Sequence, residues 1–243
     1  MSDWIALHRH RWHNKAGLRR YYKNEIFGPI SETLQGKDPI LELGAGPGFL
    51  TEYLRALGHP PVATDIEPAA GAMTCDVHAL PFPESHFGAV IGVDCLHHFA
   101  RPGVALAEIT RVLQPGGRLI LCEPWTGVFG RFFYTHFHHE DCFIPPDPFG
   151  AAFGADKPPM DGNAMLPKLI LNDSDPDLVR VCPMLRRVSV RSFGCLGYLL
   201  TGGFQGWGFP ASVVGAFAAI ERSLPQALMR HLALRAIFVF EKR

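Results

Sequence analysis

Three glycines stand at every second position in ILELGAGPGFL, residues 40–50, directly after an apolar run that ends in an acid. Gly44, Gly46 and Gly48 let a backbone turn sharply and approach a ligand closely, because they carry no Cβ. Several nucleotide-derived ligands are bound by glycine turns of this kind after a strand. The stretch therefore predicts a ligand-binding loop whose ligand depends on the residues downstream.

The residues after the third glycine separate the possible ligands. A phosphate-binding loop needs a lysine followed by serine or threonine, but Phe49, Leu50 and Thr51 follow Gly48. A dinucleotide fingerprint, G-x-G-x-x-G, needs its third glycine where Phe49 stands. Phenylalanine cannot provide the close helix–strand packing of that glycine. The phosphate loop is thus excluded, whereas a dinucleotide is disfavoured but stays open.

Acids follow the next predicted strands. Asp65 ends the strand PVATDI, where a carboxylate can accept both hydroxyls of a ribose. Asp76 follows the short strand within GAMTCDV, and Asp94 ends the strand GAVIGVD. Open α/β sheets bind their ligands at this carboxyl edge. A turn acid or helix cap remains the alternative interpretation of Asp76.

Histidines and one glutamate are the candidate proton-transfer groups. His97 and His98 follow the fourth strand at once, and His139 and Glu140 lie in the later stretch HFHHEDC. Histidine exchanges a proton near neutral pH, so these residues are candidates for a base that acts on a hydroxyl acceptor. A packed histidine is the alternative at 97 and 98, and a solvated loop is the alternative for the later stretch.

A metal site in HFHHEDC is the weaker interpretation. His136 and Glu140 have a spacing of four residues, but no second motif of ligand type follows nearby. We therefore expect no metal ion.

An alternation of strands and helices must position these groups. It runs from PILELGA through the helix GFLTEYLRALG to the fifth strand, RLILCEP, and predicts a parallel sheet with helices on both faces. The stretch PGVALAEITRVLQPGG is expected to form a helix with Pro102 near its start and with Gly116 and Gly117 after its end. Residues 4–34 are expected to be helical, with an interruption at Gly17.

The second half of the chain changes character. Residues 126–165 are rich in Phe, His, Pro and Gly without a clean period, which indicates an insertion over the mouth of the sheet. A strand RRVSVRSFG, a helical stretch over 211–231 and a final strand LRAIFVFEKR complete the prediction. We expect one domain with four parts: an N-terminal helical lid (1–35), a cofactor-binding core (36–125), an insertion over the acceptor site (126–170) and a C-terminal part (171–243).

The ordered motifs over residues 38–125 resemble class I S-adenosylmethionine-dependent methyltransferases of the type 11-like group. They are E-x-G-x-G-x-G, ATDIEP, CDVHALPFPESHF, GVDCLHHF and ALAEITRVLQPGGRLILCEP. The resemblance implies a Rossmann-like α/β fold with a seven-stranded, mostly parallel sheet and an antiparallel C-terminal strand. It also implies S-adenosyl-L-methionine as cofactor, with S-adenosyl-L-homocysteine as product. The chain departs from the family at Phe87-Gly88, where the family often has Phe-Asp.

The resemblance also implies which residues meet the cofactor. An acid at Asp76 accepts from the adenine amino group while Val77 packs on the ring, and a position such as Asp94 faces the methionine part. Apart from the resemblance, the basic N-terminal segment has two interpretations: a lid whose Trp12, Tyr21 or Tyr22 closes over the cofactor, or a helix with a solvated face. The expected cofactor residues are Glu42, Gly44, Ala45, Gly46, Gly48, Asp65, Ile66, Asp76, Val77, Asp94, Cys95 and Tyr22.

The composition of the chain bears on which classes of partner it binds. Lys and Arg together equal Asp and Glu at 23 each, so nothing in the net charge favours nucleic acid. Six cysteines without a Cys-x-x-Cys pair, and a start without an apolar signal core, predict a cytoplasmic protein. We expect a small-molecule or glycolipid-like acceptor, O-methylation, and possible peripheral membrane contact through the aromatic second half.

Two other function classes stay open. An NAD(P)-dependent oxidoreductase would share the glycine turn and Asp65, but no tyrosine is followed four residues later by lysine. A non-catalytic binding module with this fold would be expected to lose its cofactor acids, yet Glu42, Asp65 and Asp76 are all present.

Overall fold

The computed structural model describes residues 3–34, 36–67, 71–150, 153, 157–158, 160–171 and 176–243. Within these residues one sheet contains seven strands in the order β3-β2-β1-β4-β5-β7-β6. β1 to β5 run parallel, and β7 pairs antiparallel with both β5 and β6. The predicted fold class is therefore confirmed. The strands are Ile40–Leu43 (β1), Val62–Asp65 (β2), Met73–Thr74 (β3), Phe87–Val93 (β4), Leu113–Pro124 (β5), Leu185–Phe193 (β6) and Arg235–Lys242 (β7).

Helices cover both faces of the sheet. They are Asp3–Asn14 (α1), Ala16–Tyr21 (α2), Gly28–Thr33 (α3), Phe49–Ala56 (α4), Pro102–Val112 (α5), Val128–His136 (α6), Leu166–Leu171 (α7), Pro176–Val181 (α8), Leu196–Leu199 (α9), Ala211–Ser223 (α10) and Gln226–Leu232 (α11). A π-helical turn, Tyr22–Phe27, joins α2 to α3. Within the described ranges, no helix has both the length and the apolar character needed to cross a bilayer.

Alternate residues of the central strands enter two different apolar layers. Leu119 and Leu121 of β5 pack with α5 and α7, whereas Ile120 and Cys122 pack with α2, α4 and α10. Burial on both faces explains why these strands read as continuous apolar runs.

The strand order places a crevice between β1 and β4. The chain leaves β1 toward β2 on one side, and β4 lies on the other side of β1. The loops that follow β1 and β4 therefore lead away from each other. Open α/β sheets bind their ligands in the crevice that such diverging loops leave. The glycine loop after β1 and the histidine turn after β4 both open onto this crevice.

Three helix boundaries differ from the prediction. α5 ends at Val112, because Leu113 is already extended and pairs with Phe87. The break near Gly17 falls earlier, between α1 and α2, and Gly17 lies inside α2, where a Cβ would approach the carbonyl oxygen of Phe209 to 2.8 Å. The helical stretch predicted over 211–231 is divided at Pro225, which is the N-cap residue of α11.

One other feature differs from the expectation, and the structure explains the departure from the family at Gly88. The insertion begins with a regular helix, α6, although its sequence has no clean period. Gly88 replaces the family's aspartate where a Cβ would lie 2.3 Å from the carbonyl oxygen of Lys37. That close approach leaves no room for a side chain.

Candidate active site

All three glycines of the loop after β1 have a left-handed backbone. φ is +64° at Gly44, +49° at Gly46 and +82° at Gly48, a region that other L-residues adopt only with strain. A Cβ built on Gly44 would lie 3.0 Å from the Cβ of Cys95. The glycine loop therefore runs close against the turn after β4, in which Cys95 is buried.

Asp65 holds this loop at the end of β2. Its Oδ2 accepts the Gly46 N–H at 2.7 Å, and its Oδ1 accepts the Glu67 N–H at 2.9 Å. The side chain of the next residue, Ile66, is exposed. An ordered carboxylate and an apolar side chain thus lie together at the rim of the crevice.

Glu42 lies beneath the loop. Its Oε2 accepts the Thr51 hydroxyl at 2.6 Å, and its backbone carbonyl accepts the Thr64 hydroxyl at 2.8 Å. Thr64 in turn accepts the Ala45 N–H at 2.9 Å, so the loop is anchored to both strands. Burial raises the pKa of Glu42 to about 7.

Asp76 caps a short 3₁₀ turn, Val77–Ala79, which was the alternative interpretation of this acid. Its Oδ1 accepts the His78 N–H at 2.9 Å and lies 2.6 Å from His78 Nδ1. Burial opposes ionisation, but the hydrogen bonds from His78 hold the pKa of Asp76 below its ordinary value. Val77 packs against the core. The residue before Asp76, Cys75, donates its N–H to Asp65 at 2.8 Å and so brings both acids to one edge.

Asp94 forms an ion pair that sequence reasoning missed. Arg235, at the start of β7, donates from Nη2 to Asp94 Oδ1 at 2.7 Å and lies over the Tyr198 ring. No local pattern could reveal a pair separated by 141 residues. Tyr22 is buried close by and meets Trp12 edge to face, with 5.7 Å between ring centroids. It therefore forms part of the packed wall.

His97 is completely enclosed beside a glutamate that the sequence did not single out. Its Nδ1 lies 2.6 Å from Oε2 of Glu123, near the end of β5. The other oxygen of Glu123 accepts the N–H groups of Cys95 and Leu96 at 3.0 and 2.8 Å. Glu123 therefore fixes both the turn and the orientation of the imidazole.

The insertion brings Glu140 to the same turn. Its Oε2 lies 3.4 Å from His97 Nε2, and its Oε1 lies 3.8 Å from His98 Nε2. His139 is 77 % exposed and lies 3.9 Å from Glu140. His138, a further neighbour at 3.7 Å, was not predicted. Of the four catalytic candidates, three converge and His139 stays at the rim.

The charges of the two neighbouring histidines differ. Burial opposes the positive charge of His97, but the Glu123 and Glu140 carboxylates raise its pKa to about 10. Burial and the His97 cation lower the pKa of His98 to about 4. Burial opposes ionisation of Glu140, yet the hydrogen bond and charge of His97 lower its pKa to about 2. At neutral pH His97 thus holds its proton and cannot act as a base, whereas His98 is neutral.

The N-terminal helix covers the glycine loop. Trp4 donates from its indole N–H to Glu67 at 3.0 Å, and its ring lies 3.4 Å from a Cβ built on Gly46. Arg9 donates to the carbonyl of Pro47 at 2.6 Å. Trp4 and Arg9 were not predicted for this position, since an isolated tryptophan or arginine on a helix carries no signal of what it covers.

The sequence was compared with known proteins, and the matches are to methyltransferases. Residues 41–121 match the family model described as Methyltransferase domain. The demethylmenaquinone methyltransferase of Thermus thermophilus is 36% identical over 125 residues, which are 43% of this chain and 57% of that protein. The ubiquinone/menaquinone biosynthesis C-methyltransferase of Burkholderia mallei is 32% identical over 126 residues, 44% of this chain and 51% of that protein.

A solved structure extends the similarity to the whole fold. The 1,6-didemethyltoxoflavin-N1-methyltransferase of Burkholderia thailandensis, with bound S-adenosylhomocysteine, covers 96% of this chain and 81% of its own at a TM-score of 0.50 and 15% identity. The chain therefore shares the fold of that solved methyltransferase. The match over residues 41–121 confirms the methyltransferase resemblance that the motifs predicted. It spans between about a quarter and just over half of the length of the curated relatives it matches.

Proposed function

We propose that the chain transfers a methyl group from S-adenosylmethionine to a small-molecule acceptor. The observation that carries the proposal is the meeting of the glycine loop and the histidine turn at one crevice, where a Cβ on Gly44 would touch Cys95. Methyl transfer requires chiefly that donor and acceptor be held in line, because the sulfonium methyl group is already activated. The methyltransferase-domain match supports this donor over a nicotinamide cofactor.

In this proposal different residues of the crevice bind different parts of the cofactor. Asp65 binds the ribose hydroxyls, and Asp76 with Val77 binds the adenine. The glycine loop and Asp94 face the methionine end, and Glu42 is a positioning residue beneath the loop. The ordered Asp65 carboxylate beside exposed Ile66 supports this arrangement.

We further propose that α1 is a lid on the cofactor. Trp4 and Arg9 bond to the rim residues Glu67 and Pro47 on the glycine-loop side of the crevice. A closed lid removes water from the donor and the acceptor.

The proposed acceptor is a hydroxylated ring that is methylated at carbon. Loss of a proton from a ring hydroxyl makes both the oxygen and the adjacent ring carbon nucleophilic, so one activating site serves either outcome. The names of the sequence relatives, a demethylmenaquinone methyltransferase and a C-methyltransferase, favour carbon over the oxygen or glycoconjugate suggested by the motifs. His97, His98 and Glu140 are proposed to face this acceptor.

Titration calorimetry with S-adenosylhomocysteine tests the cofactor, with NADH as the control ligand. We expect saturable binding of S-adenosylhomocysteine alone, weakened at least about tenfold in Asp65→Ala and in Asp76→Ala, because hydrogen bonds to charged groups contribute about 1.5–3 kcal/mol each. Glu32→Ala, at an exposed acid of α3, should bind like the wild type. Binding of NADH alone would overturn the proposal, and binding of neither ligand would favour a non-catalytic module.

Transfer of labelled methyl from S-adenosylmethionine to reduced demethylmenaquinone tests the acceptor class. The expected product carries the label on a ring carbon, identified by mass spectrometry and NMR. An O-methyl product, or transfer only to a glycolipid, would contradict this acceptor while leaving the cofactor proposal intact.

A further inference from the structure

Three side chains from two distant segments enclose a space suited to a metal ion. One nitrogen each from His97 and His98 and one Glu140 oxygen lie within 4.8 Å of one another. The separations from Glu140 to the two Nε2 atoms, 3.4 and 3.8 Å, exceed a short hydrogen bond. Two ligand atoms that each bind tetrahedral zinc at about 2.0–2.1 Å lie roughly 3.4 Å apart.

Both imidazoles are oriented as metal ligands usually are. His97 meets the Glu123 carboxylate through Nδ1 at 2.6 Å, and His98 meets the carbonyl oxygen of Asp161 through Nδ1 at 3.1 Å. A metal-binding histidine almost always donates its other ring N–H to a carboxylate or a backbone carbonyl. Both imidazoles therefore present Nε2 toward Glu140.

The insertion is built closely around this group. A Cβ on Gly162 would lie 2.8 Å from His97 Cδ2, 2.9 Å from His98 Cε1 and 3.1 Å from Glu140 Cδ. The neighbouring Asn163 is fully buried and donates its N–H to the His97 carbonyl at 2.9 Å. The space between the three side chains is thus fixed from the insertion side as well as from β5.

The donor atoms of the group also suit a cation, because they are two imidazole nitrogens and a carboxylate oxygen. The three side chains are then a His₂Glu set, which suits zinc and similar first-row ions and leaves a coordination position for a further ligand.

We propose that His97, His98 and Glu140 bind one divalent first-row metal ion of the zinc type. The histidine pair and the glutamate lie 42 residues apart in sequence, since Glu140 is residue 140 and His98 is residue 98. For this reason the motif HFHHEDC alone, whose His136 packs on Phe132, predicted no metal. The ion site does not require methyl transfer. If transfer occurs, the ion would bind the acceptor hydroxyl and favour loss of its proton.

Calorimetric titration of the chelator-stripped full chain with Zn²⁺ tests the site. We expect about one tightly bound ion per chain and a rise in the thermal midpoint on binding. Glu140→Gln, which keeps the shape of the side chain, and His98→Ala should each weaken binding at least about tenfold. His136→Ala, a matched exposed histidine from the same segment, should bind like the wild type.

The same samples are titrated with S-adenosylhomocysteine, so that loss of the ion can be separated from loss of the cofactor site. Both variants should bind this ligand as the wild type does. Unchanged zinc binding in Glu140→Gln and His98→Ala, or no zinc binding by the wild type, would overturn the proposal. Thermal unfolding of each variant checks that it is folded, and Glu140→Gln alone decides the result if His98→Ala is not.

Discussion

Glu42 couples the stability of this fold to pH, because it is a carboxyl group buried beneath the glycine loop. The folded state keeps its proton up to about pH 7, whereas the unfolded state releases it near the ordinary value of 4.5. Between these values the unfolded state binds fewer protons than the folded state. The contribution of Glu42 to the free energy of unfolding is therefore full at low pH and falls as pH rises.

Glu42→Gln should remove this contribution. Between pH 5 and pH 8 we expect the free energy of unfolding of the wild type to fall by about 2 kcal/mol more than that of the variant. Urea unfolding at both pH values measures the difference. Glu32→Gln serves as the control at an exposed position, and equal pH dependence in the wild type and Glu42→Gln would show that Glu42 ionises normally.

Single residues differed in how far the sequence could predict them. The sequence could single out Asp65 as a partner of the glycine loop, because the loop and the strand that ends at Asp65 are close in the chain. The partners of the buried groups were not, since Glu123 meets His97 and Arg235 meets Asp94 only across the assembled sheet. Side-chain chemistry is local, but the pKa of a buried side chain depends on neighbours from other elements.

At the scale of elements, the proposed role of α1 as a lid on the cofactor can be tested directly. Trp4→Ala removes a ring against the glycine loop and the hydrogen bond to Glu67. We expect about fivefold weaker binding of S-adenosylhomocysteine, equivalent to about 1 kcal/mol. Amide hydrogen exchange over Asp3–Asn14 should slow on binding in the wild type and less so in the variant.

Trp207→Ala is the matched control for the lid, because Trp207 is an exposed tryptophan that lies outside α1. It should bind S-adenosylhomocysteine as the wild type does. If Trp4→Ala binds equally well and the exchange of α1 does not respond to the ligand, α1 is a structural helix and the lid proposal is wrong.

The sequence predicted the helices and strands that have a strong apolar periodicity, but it did not predict the residues at which they end. The parallel strands and α4 follow from apolar runs and glycine stops, which depend on neighbours in sequence. α5 ended early because Leu113 pairs with Phe87, a tertiary contact that outweighs helix preference. The insertion has no clean period, and the hydrogen bond from the Asn163 N–H to the His97 carbonyl joins it to a turn far away in the sequence.

At the scale of the whole molecule, exposed apolar side chains at the start of the insertion support the expected peripheral membrane contact. Val128 and Phe132 of α6 and the adjacent Phe137 are 72%, 50% and 68% exposed. Exposed apolar patches mark interaction surfaces. Because positive and negative residues balance at 23 each, we expect binding to neutral and anionic lipid vesicles alike.

Vesicle co-sedimentation checks this surface. The double substitution Phe132→Ser and Phe137→Ser should reduce the bound fraction on phosphatidylcholine vesicles about tenfold, because each removes apolar area from the contact. Val179→Ser with Ile220→Ser, at exposed positions of α8 and α10, is the control. Equal binding of both double variants, or no binding of the wild type, would contradict the membrane contact.

The sequence by itself determined the fold class, the resemblance to a methyltransferase domain, and the glycine loop with the acid that ends the second strand. These features are encoded by short-range patterns: apolar periodicity, glycine positions and acids at strand ends. The tertiary structure alone decided which histidine holds a proton, that Glu140 joins His97 and His98, and that Trp4 covers the loop. These depend on distances between residues far apart in the chain, and such distances exist only once the sheet, the insertion and the N-terminal helix have packed together.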